Sequence, residues 1–168
     1  MTTPVNVKLL NKEFFDEYGL PAYATAESAG MDIRACVKEP VTLPRVGSSP
    51  PDLSGFDRTP SNSRVLIPTG LAIDLNDPYR MWVLLPKSGL GHKKGLVLGN
   101  LVGIIDSDYH LEVFVSCWNT GLEDIVIKRG DFVCQAILMP VLRVEWNPVE
   151  VFDRLVDRIG GFGSNGDR

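Results

Sequence analysis

Short β-prone segments, each cut off by turn-forming residues, restrict what this chain can fold into more than any other feature of the sequence. Residues 5–10, 65–67, 71–75, 81–85, 111–118, 125–127, 132–139 and 141–146 are rich in aliphatic, β-branched and aromatic side chains, the types that fit a pleated surface. Gly, Pro, Asn and Asp separate most of them, as in Pro68-Thr69-Gly70, Asn76-Asp77-Pro78 and Asn119-Thr120-Gly121, where the backbone turns instead of extending. Leu71, Ile73 and Leu75 alternate with Ala72 and Asp74, the period-two pattern of a half-buried strand. Only residues 12–18 read as a helical turn. The expected class is therefore all-β, a sandwich or barrel of short strands of the jelly-roll or β-clip kind. With 168 residues, 44% of them hydrophobic and 23% charged, a single domain over 1–168 with a sizeable core is expected.

Charge and cysteine usage narrow the function classes. A net charge of −4 leaves no chain-wide footprint for nucleic acid. Cys36, Cys117 and Cys134 are odd in number and lack paired metal-ligand spacing, so they read as buried structural thiols of a reducing compartment. With His92 and His110 as the two histidines and no CxxC or HExxH pattern, a zinc site is not expected. Met1-Thr2-Thr3-Pro4 opens no apolar signal segment, and no run is long enough to span a membrane. The expected location is cytoplasmic, in a bacterium or in the host of a virus.

Four segments carry chemistry that strands do not need. In residues 99–109, Asp106, Ser107, Asp108 and Tyr109 follow directly on the apolar stretch from Val102 to Ile105. Asp is depleted in strands and favoured in turns, so a strand here leaves the core and ends where a carboxylate is held yet reaches solvent, as a general base requires. An ordinary acidic turn has the same composition. Residues 86–95 gather Lys87, Ser88, His92, Lys93 and Lys94 with Gly89, Gly91 and Gly95. Glycines allow close backbone approach, and Lys and Ser donate to phosphate oxygens, although the GxxxxGK[ST] spacing of a Walker loop is missing. A solvated hairpin would look similar. Residues 44–63 hold four Pro, two Gly and five Ser and read as an extended loop insertion. Residues 158–168 combine glycines with Phe162 and Ser164, a flexible arm whose amides suit an anion and whose ring suits a flat base.

Five ordered motifs are far more specific together than singly. They are Ala29-Gly30-Met31-Asp32-Ile33-Arg34-Ala35, Pro86-Lys87-Ser88-Gly89-Leu90, Gly99-Asn100 through Ile105-Asp106-Ser107-Asp108-Tyr109, Gly130-Asp131-Phe132-Val133-Cys134-Gln135, and Arg158 followed by Gly160-Gly161-Phe162-Gly163-Ser164. In this order they resemble the homotrimeric type of dUTPase, the deoxyuridine triphosphate nucleotidohydrolases, over nearly the whole chain apart from 44–63. The resemblance implies hydrolysis of dUTP to dUMP and pyrophosphate with Mg2+ on the triphosphate, which limits uracil in DNA and supplies dUMP for dTMP synthesis. It implies a jelly-roll homotrimer with three active sites at subunit interfaces, each completed by the C-terminal arm of another subunit. Asp106 matches the base that orients the attacking water and contacts the deoxyribose 3′-hydroxyl. Tyr109 matches the ring packed under the sugar, where a 2′-hydroxyl would clash. Asn100, with backbone groups near Gly103, matches the uracil-reading position, suited by an amide that both donates and accepts. Lys87, Ser88, Gly89 and Gln135 match phosphate-binding positions, and Asp32 matches the acid that reaches Mg2+ through water. Arg158, Phe162, Gly163 and Ser164 match the arm, with Phe162 stacking over uracil.

Some residues stand outside those roles, and some depart from the family pattern. Asp108 reads as turn support, His92 and His110 as solvated loop residues, and Trp82, Trp118 and Trp146 as core or subunit-interface packing. Lys87 stands where the family usually has Arg, which loses the bidentate fork. Leu111 replaces a small Gly, Phe132 replaces a common Arg, and the spacer after Arg158 is shorter than usual. Two other readings stay open: a dCTP deaminase of the same fold, and a binding or signalling module that holds a protein partner through 44–63. Neither a stable nucleic-acid partner nor a membrane is expected.

Overall fold

The computed structural model describes residues 3–45 and 64–152. The described elements run in the order β1 (Asn6–Leu9), α1 (Lys12–Tyr18), β2 (Ala22–Tyr23), β3 (Met31–Arg34), β4 (Val41–Leu43), β5 (Arg64–Pro68), β6 (Leu71–Asp74), β7 (Arg80–Leu85), α2 (Ser88–Lys94), β8 (Leu96–Leu98), β9 (Gly103–Ile105), β10 (Phe114–Asn119), β11 (Ile125–Ile127) and β12 (Phe132–Pro140). They pair antiparallel throughout, in sheets ordered β2-β3-β12-β7-β9, β5-β10-β8, β1-β6 and β11-β4. Non-consecutive neighbours dominate these sheets, as sheet-switching connections in an all-β jelly-roll-like fold require.

The core lies between the sheets. Ile33, Leu43, Ile67, Leu98, Val113, Val115, Ile127 and Val133 are fully buried, each contributed by a strand or its immediate flank. Along β10, Val115, Cys117 and Asn119 face inward while Phe114, Ser116 and Trp118 face outward, the alternation a one-sided strand needs. Asn119 is the polar exception. Its Nδ2 donates to Leu43 O at 2.9 Å and to Glu123 O at 2.8 Å, and its Oδ1 accepts from Gly121 N at 2.8 Å. With its bonds satisfied, the buried amide stitches the end of β10 to β4 at little cost.

The helix α1 forms over the expected residues because Asn11 caps it, its side chain accepting from Phe14 N at 3.1 Å. Phe14 and Phe15 plug the core, and Gly19, at φ 74°, ends the helix with its N–H on Phe15 O.

Two expectations need correction. Residues 141–146 form no strand: Val141 N still donates to Tyr79 O at 2.8 Å, but Leu142, Val144 and Trp146 are exposed. Their alternation is real, yet no edge within the described chain lies beneath it. Trp82 is core, Trp118 stacks under the Arg64 guanidinium, and Trp146 is exposed on the single chain. The basic segment after β7 is not a solvated hairpin but the helix α2, so His92 is helical. Gly95 supplies the left-handed cap at φ 73°, its N–H meeting Gly91 O and Leu90 O, and His92, Lys93 and Lys94 occupy the last turn, where cations complement the helix dipole. The short elements β2, β3 and β8 carry no strong sequence signal and form by pairing with longer strands, and β4 forms by pairing with β11. Most of the 44–63 insertion, residues 46–63, lies outside the described residues.

Candidate active site

The described candidate residues fall into two groups on the five-stranded sheet, a row across β3, β12 and the end of β7 and a second set along and after β9. Asp32 on β3 sits opposite Gln135 on β12, which sits opposite Leu85 on β7. Lys87 follows β7 directly, and Ser88 and Gly89 open α2. The three adjacent strands thus deliver a carboxylate, an amide and an ammonium to one row. Lys87 Nζ is ion-paired with Asp32 Oδ1, and Gln135 Nε2 donates to Pro86 O at 3.0 Å, which leaves the Gln135 carbonyl free to turn outward. Gly30 permits this packing, since a Cβ there would come within 2.9 Å of Gln135 Oε1. The row offers one anion, one cation and neutral donors, a set suited to phosphate oxygens.

A β-bulge brings two further side chains to the same row. Phe132 pairs with Arg34, and Gln135 with Asp32, with the register slipping between Phe132 and Cys134. The extra residue puts Phe132 and Gln135 on one face despite their odd spacing. The Arg34 guanidinium lies 3.8 Å from the Phe132 ring centroid and the Lys87 ammonium 4.9 Å. Arg34 also donates to Gly130 O at 2.7 Å. Arg34 carried no assignment from the sequence, although its i+2 spacing from Asp32 on a strand was the available signal.

The second group surrounds β9. Asn100 and Leu101 form a tight turn after β8, with Leu101 N on Leu98 O at 3.0 Å and Val102 N on Asn100 O at 2.7 Å. Leu101 takes φ 64°, a left-handed conformation that strains a Cβ-bearing residue and that clusters at functional sites. Gly103 is buried against β7, where a Cβ would meet Leu84 Cβ at 3.0 Å. Asp106 leaves the end of β9 exposed, and Tyr109 N closes the following turn on Asp106 O at 3.2 Å. The Tyr109 hydroxyl donates to Glu112 O at 3.0 Å, anchoring the phenol while part of its ring stays accessible. Asp108 is exposed in the same turn, and His110 meets Asp74 at 3.4 Å.

Gly103, opposite Leu84, lies within a residue of that row along the strands, but Asp106 and Tyr109 do not. Ile105 sits opposite Trp82, whereas Gln135 sits opposite Leu85, and β3 and β9 are the outer members of the run β3-β12-β7-β9. At about 3.3 Å per residue and about 4.8 Å between strands, the Asp32 and Asp106 backbones lie on the order of 20 Å apart. One cavity, of about 770 Å³, is lined by Val5, Val7, Met31, Ile73, Trp82 and other mainly apolar side chains and takes in none of the candidate residues. A second, of about 350 Å³, reaches Asp32, Arg34 and Phe132 but not Asp106. Arg158, Phe162, Gly163 and Ser164 lie outside the described residues.

No group of three or more His, Cys, Asp or Glu side chains among the described residues could hold a metal on its own. The Asp32 carboxylate, with one oxygen on Lys87, instead fits a hard cation that keeps several waters and takes most of its ligands from a polyphosphate. Behind it, burial pushes the Cys134 thiol well above its ordinary value, and burial raises Cys117 to about 12. Both thiols are packing groups without nucleophilic character.

An antiparallel all-β fold carrying these motifs in this order defines a nucleotide-hydrolysing family, and the comparisons agree on which: the dUTPase family model matches residues 56–166. The chain belongs to the dUTPase family. It is 49% identical over 162 residues, 96% of each chain, to the deoxyuridine 5′-triphosphate nucleotidohydrolase of Hahella chejuensis. It is 44% identical over 166 residues, 99% of each chain, to that of Aeromonas salmonicida. Among solved structures, a mutant dUTPase of Staphylococcus bacteriophage 80alpha with dUpNHpp superposes with a TM-score of 0.72 at 23% identity, covering 98% of this chain and 99% of that one. A mutant dUTPase from phage phi11 of S. aureus, which coordinates a structural Mg(II) ion, superposes with a TM-score of 0.68 at 20% identity over 90% of this chain and 100% of that one.

Proposed function

We propose that this chain hydrolyses dUTP to dUMP and pyrophosphate, in sites assembled between the subunits of a homotrimer. The observation that carries the assembly is the distance of Asp106 from the phosphate row on one sheet. A base and phosphate donors on the order of 20 Å apart act on one substrate only if different copies contribute them. The exposed apolar residues Ile104, Met139, Leu142, Val144 and Trp146 give such copies surface to bury.

In this reading Asn100 and the strained Leu101 turn hold the uracil edge, and the anchored Tyr109 ring lies beneath the deoxyribose. Asp106 takes a proton from a water as its oxygen bonds to the α-phosphorus; the bond from that phosphorus to the α,β-bridging oxygen breaks, and pyrophosphate leaves. Lys87, Ser88, Gly89 and Gln135 bind the phosphates and offset the charge that grows on the leaving group. Arg158, Phe162, Gly163 and Ser164 belong to the arm that closes over the substrate. Asp32 would hold Mg2+ through water. When bound, Mg2+ neutralises the triphosphate and orients its oxygens. No helix among the described residues is long and apolar enough to cross a membrane, and we assign the reaction to the cytoplasm.

The test is pyrophosphate release from dUTP, dCTP, dTTP and UTP by wild type and Asp106→Asn. The reading predicts turnover of dUTP above the other three and a loss of ~100-fold or more in kcat for the variant, the usual cost of removing a positioned base. Ammonia release from dCTP, or Asp106→Asn within about threefold of wild type, contradicts it.

A further inference from the structure

We infer that Phe132 is a positioning residue for the triphosphate, acting through the Lys87 and Arg34 side chains that its ring gathers. The inference deepens the dUTP-hydrolysing reading of the site and rests on it. Three observations point the same way. First, the bulge in β12 turns Phe132 onto the Asp32–Gln135 face rather than away from it. Second, both cations lie over that ring, Arg34 at 3.8 Å and Lys87 at 4.9 Å from its centroid, inside the range where the negative face of a ring attracts a cation. Third, each cation has a second tether: Lys87 to Asp32, and Arg34 to Gly130 O at 2.7 Å.

The arrangement meets a need specific to lysine. An ammonium is a compact point charge on a flexible four-carbon stem and lacks the planar fork that orients a guanidinium on phosphate. Left on the surface, Lys87 would lose side-chain entropy each time an anion was bound. Held between the Phe132 ring and Asp32, it is already confined beside the row where phosphate oxygens bind. Two cations at one ring repel each other, and the single Asp32 carboxylate offsets only one of them. The patch therefore keeps a net positive charge that an incoming triphosphate neutralises. Phe132 remains partly exposed, so its ring is not needed to fill the core, and a non-aromatic apolar residue can replace it without opening a cavity.

The test compares Phe132→Leu, Phe132→Met and Phe132→Tyr in the full chain. Steady-state pyrophosphate release from dUTP should show KM raised about three- to fivefold by Leu and Met, with kcat within about twofold, and Tyr close to wild type. In a Lys87→Met background, Phe132→Leu should raise KM by less than it does in wild type, because only Arg34 remains as a partner of the ring. A second readout needs no substrate. With 13C-labelled lysine, the Lys87 ε-methylene signal, identified by its loss in Lys87→Met, should carry a ring-current displacement in wild type and Phe132→Tyr and lose it in Phe132→Leu. If wild type releases no pyrophosphate from dUTP, the functional reading falls, and the lysine signal still decides whether the ring holds Lys87. An unchanged KM in Phe132→Leu, a Phe132→Tyr variant as impaired as Phe132→Leu, or a lysine signal indifferent to the ring overturns the inference.

Discussion

Gly30 and Gln135 show how tightly single residues are coupled in the proposed phosphate row. A methyl group on Gly30 would press on the Gln135 amide at 2.9 Å, the movable end of a side chain that itself donates to Pro86 O. Gly30→Ala should therefore leave thermal unfolding within about 1 kcal/mol of wild type, since a flexible amide can give way. The same variant should raise KM for dUTP at least about threefold by displacing that amide from the phosphates. Parallel melting and turnover measurements separate the two effects; a large loss of stability with unchanged KM would contradict the role given to Gln135. Asp32, Lys87, Ser88, Asn100, Asp106, Tyr109 and Gln135 could be singled out from sequence because five motifs occur in order. What Asp32 and Lys87 do to each other could not, because an ion pair between residues far apart in the chain exists only through the β3-β12-β7 register.

Elements differ in how much of their own structure they encode. The helix α1 was legible because a cap, a buried aromatic pair and a terminal glycine all fall within one short stretch. The helix α2 was not: it buries no side chain and contains Gly89 and Gly91, which lower helix propensity. It forms where β7 releases the chain and Gly95 can close the end. The β12 bulge was equally silent, since strict alternation would send Phe132 and Gln135 to opposite faces. Residues 141–146 show the converse, a strand pattern with no strand to pair with in the described chain. Central strands also store a pH dependence. Burial raises the Cys117 thiol on β10 from 9.0 to about 12, so the unfolded chain loses this proton first as pH rises. The stabilisation linked to that proton is complete below pH 9.0 and declines toward pH 12, with a slope of about 1.4 kcal/mol per unit. Denaturant melts across that range should show this slope in wild type and a shallower one in Cys117→Val; identical slopes would place the thiol outside the linkage.

At the scale of the whole molecule, the sheet that orders the site also divides it. The all-β class was readable from the punctuation of short strands, and the candidate site residues from their motifs, but where on the sheet each candidate would fall was not. That depends on the pairing of Ile105 with Trp82 and of Gln135 with Leu85. In the proposed homotrimer catalysis is a property of the assembly, and each copy should supply one part of a site and borrow another. Subunit complementation tests the division. Asp106→Asn chains and Lys87→Met/Gln135→Ala chains, each inactive alone, are unfolded together, refolded as a mixture and assayed for pyrophosphate release from dUTP. Sites shared between copies predict recovery of about a quarter of wild-type activity, because random mixing pairs an intact base with an intact phosphate row in about one site in four. Mixed oligomers with no activity above that of either variant alone would contradict the shared site.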